Sequence, residues 1–241
     1  MPLPPTFEAT LVRTRPLTPS VRELVFERKD GAPFAFEPGQ WVNLVLPRAE
    51  GELRRAYSIA SRPNGTPRFE LAITHVQGGP GSSFLHDLRP GTQLEISGPQ
   101  GFFMREIAPP PPSLFVATGT GVTPMRSMLL AAIAAKQTAP IWLLFGVRRE
   151  EDILYRDELE QLARDNPSVR LEFTLSQPGE SWTGRRGYVQ THVQALWHEL
   201  EAHGEPHAYV CGLLRMVGSV RELLRKQMNV PRQQVHTERY D

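Results

Sequence analysis

The sequence predicts two domains, an antiparallel β-barrel followed by an α/β domain with a doubly wound parallel sheet. Three observations lead to this prediction. Short alternating strands fill the N-terminal part, four prolines follow at positions 109–112, and strands then alternate with helices. Since a proline run continues neither a helix nor a central strand, we place the boundary there, with domains at residues 1–108 and 113–241.

Six segments of the first domain have the pattern of half-buried strands. In the clearest segment, Phe69, Leu71 and Ile73 alternate with residues that are polar or small. Turns rich in glycine and proline separate the segments, and a short helix is predicted at residues 82–88. Six strands of this kind favour an antiparallel barrel. The predicted strands are residues 7–15, 21–28, 40–46, 54–60, 68–75 and 93–97.

In the second domain, apolar runs alternate with segments of helical periodicity. Strands joined by crossover helices form a parallel, doubly wound sheet, and such sheets bind ligands at the carboxyl ends of their strands. The last helix, for example, carries Met216, Val217 and Val220 on one face. The predicted strands are residues 114–117, 141–145, 169–175, 208–211 and 234–237, and the predicted helices are residues 124–135, 153–164, 189–203 and 213–227.

A glycine turn follows the first strand of this domain. Gly119 and Gly121 flank the turn, and we expect Thr123 to cap the next helix with Pro124 at its first position. Backbone N–H groups in such a turn can approach a phosphate closely, which indicates a dinucleotide site. Because Pro124 replaces the third glycine of the G-x-G-x-x-G fingerprint, the turn by itself fits a purely structural role equally well.

Composition excludes several other classes of protein. The net charge is +1, with 12 basic and 11 acidic residues before the proline run and 15 of each after it, so no nucleic-acid surface is indicated. No apolar run approaches the ~20 residues of a membrane span, and the N-terminus lacks a secretory signal, so we expect a cytoplasmic protein. The single cysteine, Cys211, excludes a disulfide framework, and the histidine spacing predicts no metal site.

Five short motifs occur in a characteristic order, namely RAYS, GGPGSS, GTGVTPM, FGVR and CG. Together they resemble the ferredoxin–NADP reductase superfamily of flavoproteins, over roughly residues 40–240. The similarity is greatest to the compact reductase modules of oxygenase and cytochrome reductase systems. The resemblance implies a barrel that binds FAD and a second domain that binds NADH or NADPH. It also implies hydride transfer to FAD, followed by single-electron transfer to a separate acceptor.

The resemblance assigns flavin-binding residues to two motifs. The first motif comprises Arg55, which can hold the flavin pyrophosphate, Tyr57, which can pack against the flavin ring, and Ser58. The second comprises Gly79, Gly81 and Ser82, with Ser82 expected to cap the short helix. The structural alternatives are an exposed arginine with a core tyrosine, and a plain Gly-Pro turn.

Further residues are assigned to the nicotinamide nucleotide by the same resemblance. Cys211 would lie near the nicotinamide C4 and the flavin N5 as a positioning group, with Glu238 and Tyr240 at the flavin; a small buried cysteine and a frayed terminus are the alternatives. The resemblance thus implies catalytic roles for Cys211, Glu238 and Tyr57. The other nucleotide residues are Gly119, Thr120, Gly121, Thr123, Gly146, Arg148, Ser176 and Gly212.

The sequence favours NADH over NADPH as the donor. Ser176 with Arg185 or Arg186 could bind the extra phosphate of NADPH, but Gln177 occupies the place where NADPH-specific members carry arginine. The acceptor is expected to be a ferredoxin-like protein, because one cysteine cannot hold an iron–sulfur cluster. The alternatives are a reductase of free flavin or ferric chelates, and a nucleotide-binding electron-transfer subunit of a larger complex.

Overall fold

The computed structural model describes residues 6–48, 51–105 and 109–240. The chain divides into two compact units, one of Met1–Met104 with Arg126–Ala131 and one of Arg105–Met125 with Ala132–Asp241. The end of the first predicted domain, at residues 106–108, lies outside the described residues. We describe each unit by itself.

The first unit is an antiparallel barrel of six strands, which confirms the predicted fold. The strands pair in the order β4-β3-β6-β1-β2-β5, and an antiparallel bridge between Ile59 and Leu71 brings the two ends of the sheet together. Its interior is filled by the apolar residues of the alternating pattern, such as Phe26 and Phe69. The strands are β1 (Thr6–Thr18), β2 (Val21–Arg28), β3 (Trp41–Arg48), β4 (Gly51–Ser58), β5 (Arg68–Thr74) and β6 (Gln93–Gln100).

The short helix of this unit, α1 (Pro80–Asp87), begins two residues before its predicted start. Pro80 occupies the first turn because its fixed φ suits that position and its missing N–H costs nothing there. Gly79 is therefore the N-cap, and the expectation that Ser82 caps the helix was wrong. Instead, the Ser82 hydroxyl accepts the N–H of Val76 at 3.0 Å and lies 3.0 Å from the Gly79 carbonyl oxygen, folding the preceding loop onto the helix.

The second unit contains a parallel sheet, as predicted, of order β10-β9-β8-β7-β11-β12, in which β10 is a sixth strand that the sequence did not predict. The strand order reverses at β7, which places the switch point between β7 and β11. The strands are β7 (Ser113–Thr118), β8 (Ile141–Val147), β9 (Val169–Leu175), β10 (Arg185–Arg186), β11 (His207–Leu213) and β12 (Val235–Tyr240). The helices are α2 (Val122–Ala134), α3 (Arg156–Asp165), α4 (Gln190–Leu200) and α5 (Leu214–Glu222), the last followed by a π-helical segment at Leu223–Gln227.

Several ends of these elements differ from the prediction by a few residues, and two of the differences concern predicted site residues. A 3₁₀ turn at Gly119–Gly121 leads directly into α2, so Thr123 lies inside the helix and is not its N-cap. Its hydroxyl donates to the Thr120 carbonyl oxygen at 2.8 Å. Strand β12 extends to Tyr240 because it pairs with β11 along its whole length, so the alternative of a frayed end does not hold for residues 235–240.

Among the described residues, no helix is both long and apolar enough to cross a membrane.

Candidate functional site

In the barrel, the two motifs assigned to flavin lie against each other. A Cβ atom placed on Gly81 would lie 3.3 Å from Cγ of Arg55, so the first turn of α1 runs close to strand β4. Arg55 itself is exposed, and its Nη1 donates to the Arg54 carbonyl oxygen at 3.0 Å. An exposed guanidinium beside a helix start is an arrangement that suits an anionic group.

The N-terminus of α1 adds to this arrangement. Gly79 provides no side-chain cap, and no acidic residue lies in the first turn. Backbone N–H groups at a helix start have no partner within the helix, and they carry the positive end of its dipole. The residues present therefore fit a pyrophosphate, which could approach the glycine backbone closely.

Tyr57 and Ser58 lie at the end of β4. Ser58 is buried, whereas Tyr57 packs against the barrel core and remains partly exposed. Burial raises the pKa of Tyr57 to about 12, although the Arg55 guanidinium opposes this shift. The phenol therefore keeps its proton at neutral pH and can donate a hydrogen bond.

In the second unit, the glycine turn packs directly on the end of β11. A Cβ atom on Gly121 would lie 2.3 Å from the Cys211 carbonyl oxygen, and one on Gly212 would lie 2.3 Å from Thr118 Oγ1. The backbone of Gly212 also has a φ of +143°, a conformation that favours glycine. These contacts bring the GTG and CG motifs together at the switch point of the sheet.

Beside these glycines lie three of the side chains assigned to the reaction centre. Cys211 is opposite Glu238 in the register of β11 and β12, and its sulfur lies 4.0 Å from Glu238 Oε1. The Tyr240 hydroxyl lies 3.4 Å from Thr123 Oγ1, which ties β12 to the start of α2. Parallel pairing thus unites residues that are 117 positions apart in the sequence.

The thiol of Cys211 is held in its neutral form. Burial raises its pKa well above the usual range, and the Glu238 carboxylate raises it further, while a hydrogen bond from Tyr240 acts in the opposite direction. A neutral, buried thiol is a poor nucleophile. The geometry therefore agrees with a positioning group and does not support covalent catalysis.

We expect Cys211 to resist thiol reagents in the folded protein. With no exposed surface and a raised pKa, it should release less than about a tenth of an equivalent of thiol to Ellman's reagent at pH 8. Unfolding in guanidinium should release one equivalent, because the chain contains a single cysteine. Rapid reaction of the native protein would contradict the burial seen here.

The ends of β8 and β9 carry the remaining predicted residues. Gly146 packs under α4, because a Cβ atom there would lie 2.5 Å from Val189 Cγ1. Arg148 is exposed, and its carbonyl oxygen accepts the N–H of Gln177 at 2.8 Å. Ser176 is half-buried at the end of β9. These three predicted residues lie at the carboxyl edge of the sheet, as the sequence predicted.

Two family models match the chain, one in each part. The oxidoreductase FAD-binding domain model matches residues 8–104, and the oxidoreductase NAD-binding domain model matches residues 115–222. Ferredoxin–NADP reductase B of Sorangium cellulosum (strain So ce56) is 61% identical over 98% of this chain and 98% of its own length. The chain belongs to the ferredoxin–NADP reductase superfamily.

Other members of the superfamily are more distant. Phenol hydroxylase P5 protein of Acinetobacter pittii (strain PHEA-2) is 32% identical over 97% of this chain, which spans 65% of that protein's length. The crystal structure of an Amycolatopsis cytochrome P450 reductase has a TM-score of 0.83 at 25% identity, covering 98% of this chain and 70% of that one. The motif-based resemblance is thereby confirmed.

Membership of this superfamily establishes the reaction class. The protein is an NAD(P)H-dependent flavoprotein reductase, with FAD and a pyridine nucleotide as its cofactors. FAD can accept a hydride and give up electrons singly, whereas the protein binds, orients and shields the reactants.

Sequence reasoning missed two features of this member of the ferredoxin–NADP reductase superfamily. Thr118 was not singled out, yet its buried hydroxyl lies against Gly212. Trp182 was assigned no role, although it is only 9% exposed. A tryptophan between polar loop residues was the signal that could have drawn attention to it, because loops seldom bury so large a side chain.

Proposed function

We propose that this reductase takes hydride from NADPH and passes electrons singly to a ferredoxin-type iron–sulfur protein. The observation that carries the choice of donor is Arg186, at the carboxyl edge of the sheet, which has carbonyl partners but no carboxylate partner among the described residues. The name of the relative with 61% identity, Ferredoxin–NADP reductase B, supports the same donor and acceptor. We further propose a cytoplasmic location, where reduced nicotinamide nucleotides are available.

In this proposal the barrel residues hold FAD. Arg55 pairs with the pyrophosphate, and the start of α1 at Gly79, Gly81 and Ser82 contributes backbone N–H groups. Tyr57 and Ser58 contact the flavin ring, where the neutral phenol of Tyr57 donates a hydrogen bond. The contact between Gly81 and Arg55 supports this assignment, because it brings both anion-binding groups to one place.

The sheet residues hold the nucleotide. Gly119, Thr120, Gly121 and Thr123 form the turn on which the nucleotide phosphates rest, with support from the residues at the ends of β8 and β9, namely Gly146, Arg148 and Ser176. Cys211 and Gly212 leave room for the nicotinamide ring and keep water away. Glu238 and Tyr240 border the reacting atoms and limit how the ring can lie.

Two arginines were candidates for the extra phosphate of NADPH, and their surroundings differ. Arg185 donates to the Glu172 carboxylate at 3.0 Å, so its charge is already paired. Arg186 donates from Nη2 to the Trp182 carbonyl oxygen at 2.8 Å and to that of Gly179 at 3.4 Å. Carbonyl groups orient a guanidinium without neutralising it, so Arg186 keeps a full charge for a phosphate.

The proposal is tested with anaerobic absorption spectra of the purified protein. NADPH should bleach the flavin absorption at least about tenfold faster than equal NADH, since a charge-assisted contact to the added phosphate contributes about 1.5 kcal/mol or more. Equal or faster bleaching by NADH would overturn the choice of donor and support the expectation based on Gln177.

The acceptor is tested separately by cytochrome c reduction under NADPH. A [2Fe–2S] ferredoxin added in catalytic amounts should raise the rate many-fold, because the chain's single cysteine cannot ligate a cluster of its own. A rate that rises with free flavin or ferric chelate, and stays unchanged with ferredoxin, would favour the reductase of small acceptors.

A further inference from the structure

The loop between β9 and β10 is folded around its own tryptophan. Trp182 is buried, whereas its neighbours Ser181 and Thr183 are exposed. A surface loop seldom buries an indole, because side chains of that size usually pack in the core of a domain. The loop leads into Arg186, the residue proposed above to bind the extra phosphate of NADPH.

Trp182 forms hydrogen bonds with both arginines of β10. The indole N–H donates to the Arg185 carbonyl oxygen at 2.8 Å, and the Trp182 carbonyl oxygen accepts from Arg186 Nη2 at 2.8 Å. A buried indole N–H without an acceptor is destabilising, so the first bond holds the ring in place. The second bond holds the guanidinium of Arg186.

A glycine and a helix enclose the ring of Trp182. A Cβ atom on Gly184 would lie 2.5 Å from Cζ2 of the ring, so any larger residue there would displace the indole. On α3, the guanidinium carbon of Arg156 lies 6.0 Å from the ring centre, and Arg156 is itself ion-paired with Glu160 at 3.0 Å. The ring is therefore held in a defined position between Gly184 and α3.

The charge of Arg186 makes the position of the Trp182 ring relevant to function. Within the described part of the chain, no carboxylate pairs with Arg186, whereas Arg185 is paired with Glu172. A long arginine side chain loses rotamer freedom when a ligand orders it. An arginine already held by carbonyl groups has lost part of that freedom before the phosphate arrives, which favours binding.

We propose that Trp182 is a positioning residue for nucleotide selectivity, because it holds Arg186 ready for the 2′-phosphate of NADPH. The proposal rests on the donor choice proposed above. It adds that selectivity depends on the packing of Trp182 over Gly184, and that this packing acts on binding of the adenosine half of the nucleotide.

The test compares binding of 2′,5′-ADP, which carries the extra phosphate, with binding of ADP, which lacks it. We expect Trp182→Ala and Gly184→Ala each to weaken 2′,5′-ADP binding about tenfold in calorimetry, with ADP binding unchanged within about twofold. The KM for NADPH should rise by a similar factor at unchanged kcat. Adding Gly184→Ala to Trp182→Ala should not weaken 2′,5′-ADP binding further, because the ring that the new methyl group would displace is then absent.

Trp197→Phe is the matched control. Trp197 is also buried and donates its indole N–H to Glu201 at 2.9 Å, but it lies on α4, outside this loop. We expect its removal to leave the ratio of the two affinities unchanged. If Trp182→Ala does not fold, Gly184→Ala tests the same contact with the tryptophan still present.

Two results would overturn the proposal in distinguishable ways. A wild-type protein that binds 2′,5′-ADP no better than ADP would overturn the choice of NADPH, and the role of Trp182 with it. A wild-type preference that persists in both loop variants, or that falls equally in Trp197→Phe, would overturn the role of Trp182 alone.

Discussion

Replacing Gly121 with alanine should lower the rate of flavin reduction by NADPH about a hundredfold or more, while FAD stays bound. The added Cβ would lie 2.3 Å from the Cys211 carbonyl oxygen and 2.8 Å from Gly212 Cα. Both are backbone atoms of a central strand, so neither can rotate away, and the glycine turn must shift instead. A displacement of about 1 Å at a reacting site can cost about a hundredfold in rate.

Stopped-flow measurement of flavin bleaching under anaerobic conditions provides the test, with FAD content read from the absorption spectrum of the same sample. Gly218→Ala is the matched control, because a Cβ atom at this glycine of α5 meets nothing within 4 Å. The control should bleach at the wild-type rate. A Gly121→Ala protein as fast as the control would show that the turn does not carry the nucleotide.

The second large effect is expected at Arg55, whose replacement by alanine should weaken FAD binding about a hundredfold. A guanidinium can form paired, charge-assisted hydrogen bonds to a pyrophosphate, each contributing about 1.5–3 kcal/mol. Arg55 lies against the start of α1, so its loss would leave only the backbone N–H groups there. The barrel should stay folded, because Arg55 is exposed.

Gel filtration followed by absorption spectra would reveal the loss, and titration of the apoprotein with FAD would measure it by flavin fluorescence. Arg54→Ala is the control. Arg54 is the adjacent residue of β4, so it faces the opposite side of the sheet, and it pairs with Glu52 at 3.3 Å. If Arg55→Ala retained stoichiometric FAD with the affinity of Arg54→Ala, the assignment of the RAYS motif would be wrong.

The secondary structure was largely predictable because its signals are local. Alternation of apolar residues, as at Phe69, Leu71 and Ile73, defines a strand face within a few residues, and helical spacing does the same for α5. The starts of helices were less predictable. Ser82 and Thr123 are both good capping residues, but Pro80 and the 3₁₀ turn at Gly119–Gly121 moved each helix start earlier.

The motifs could be identified one at a time from the sequence, but the contacts between them could not. Gly121 requires glycine because of the Cys211 carbonyl, and that contact exists only because β11 pairs with β7. Likewise, Cys211 faces Glu238 through the register of β11 and β12. Contacts of this kind depend on strand order, which the pattern of any single segment does not specify.

The two arginines of β10 show most clearly which features the sequence determines and which depend on the tertiary structure. Residue types and spacing alone indicated the barrel, the parallel sheet and the basic residues near the end of β9, and the five motifs carried the resemblance to the family. Only the tertiary structure decided that Glu172 pairs with Arg185, while the Trp182 and Gly179 carbonyl groups hold Arg186. The physical reason is that a side chain's charge and freedom depend on neighbours brought close by folding, whereas periodicity and composition are properties of the chain itself.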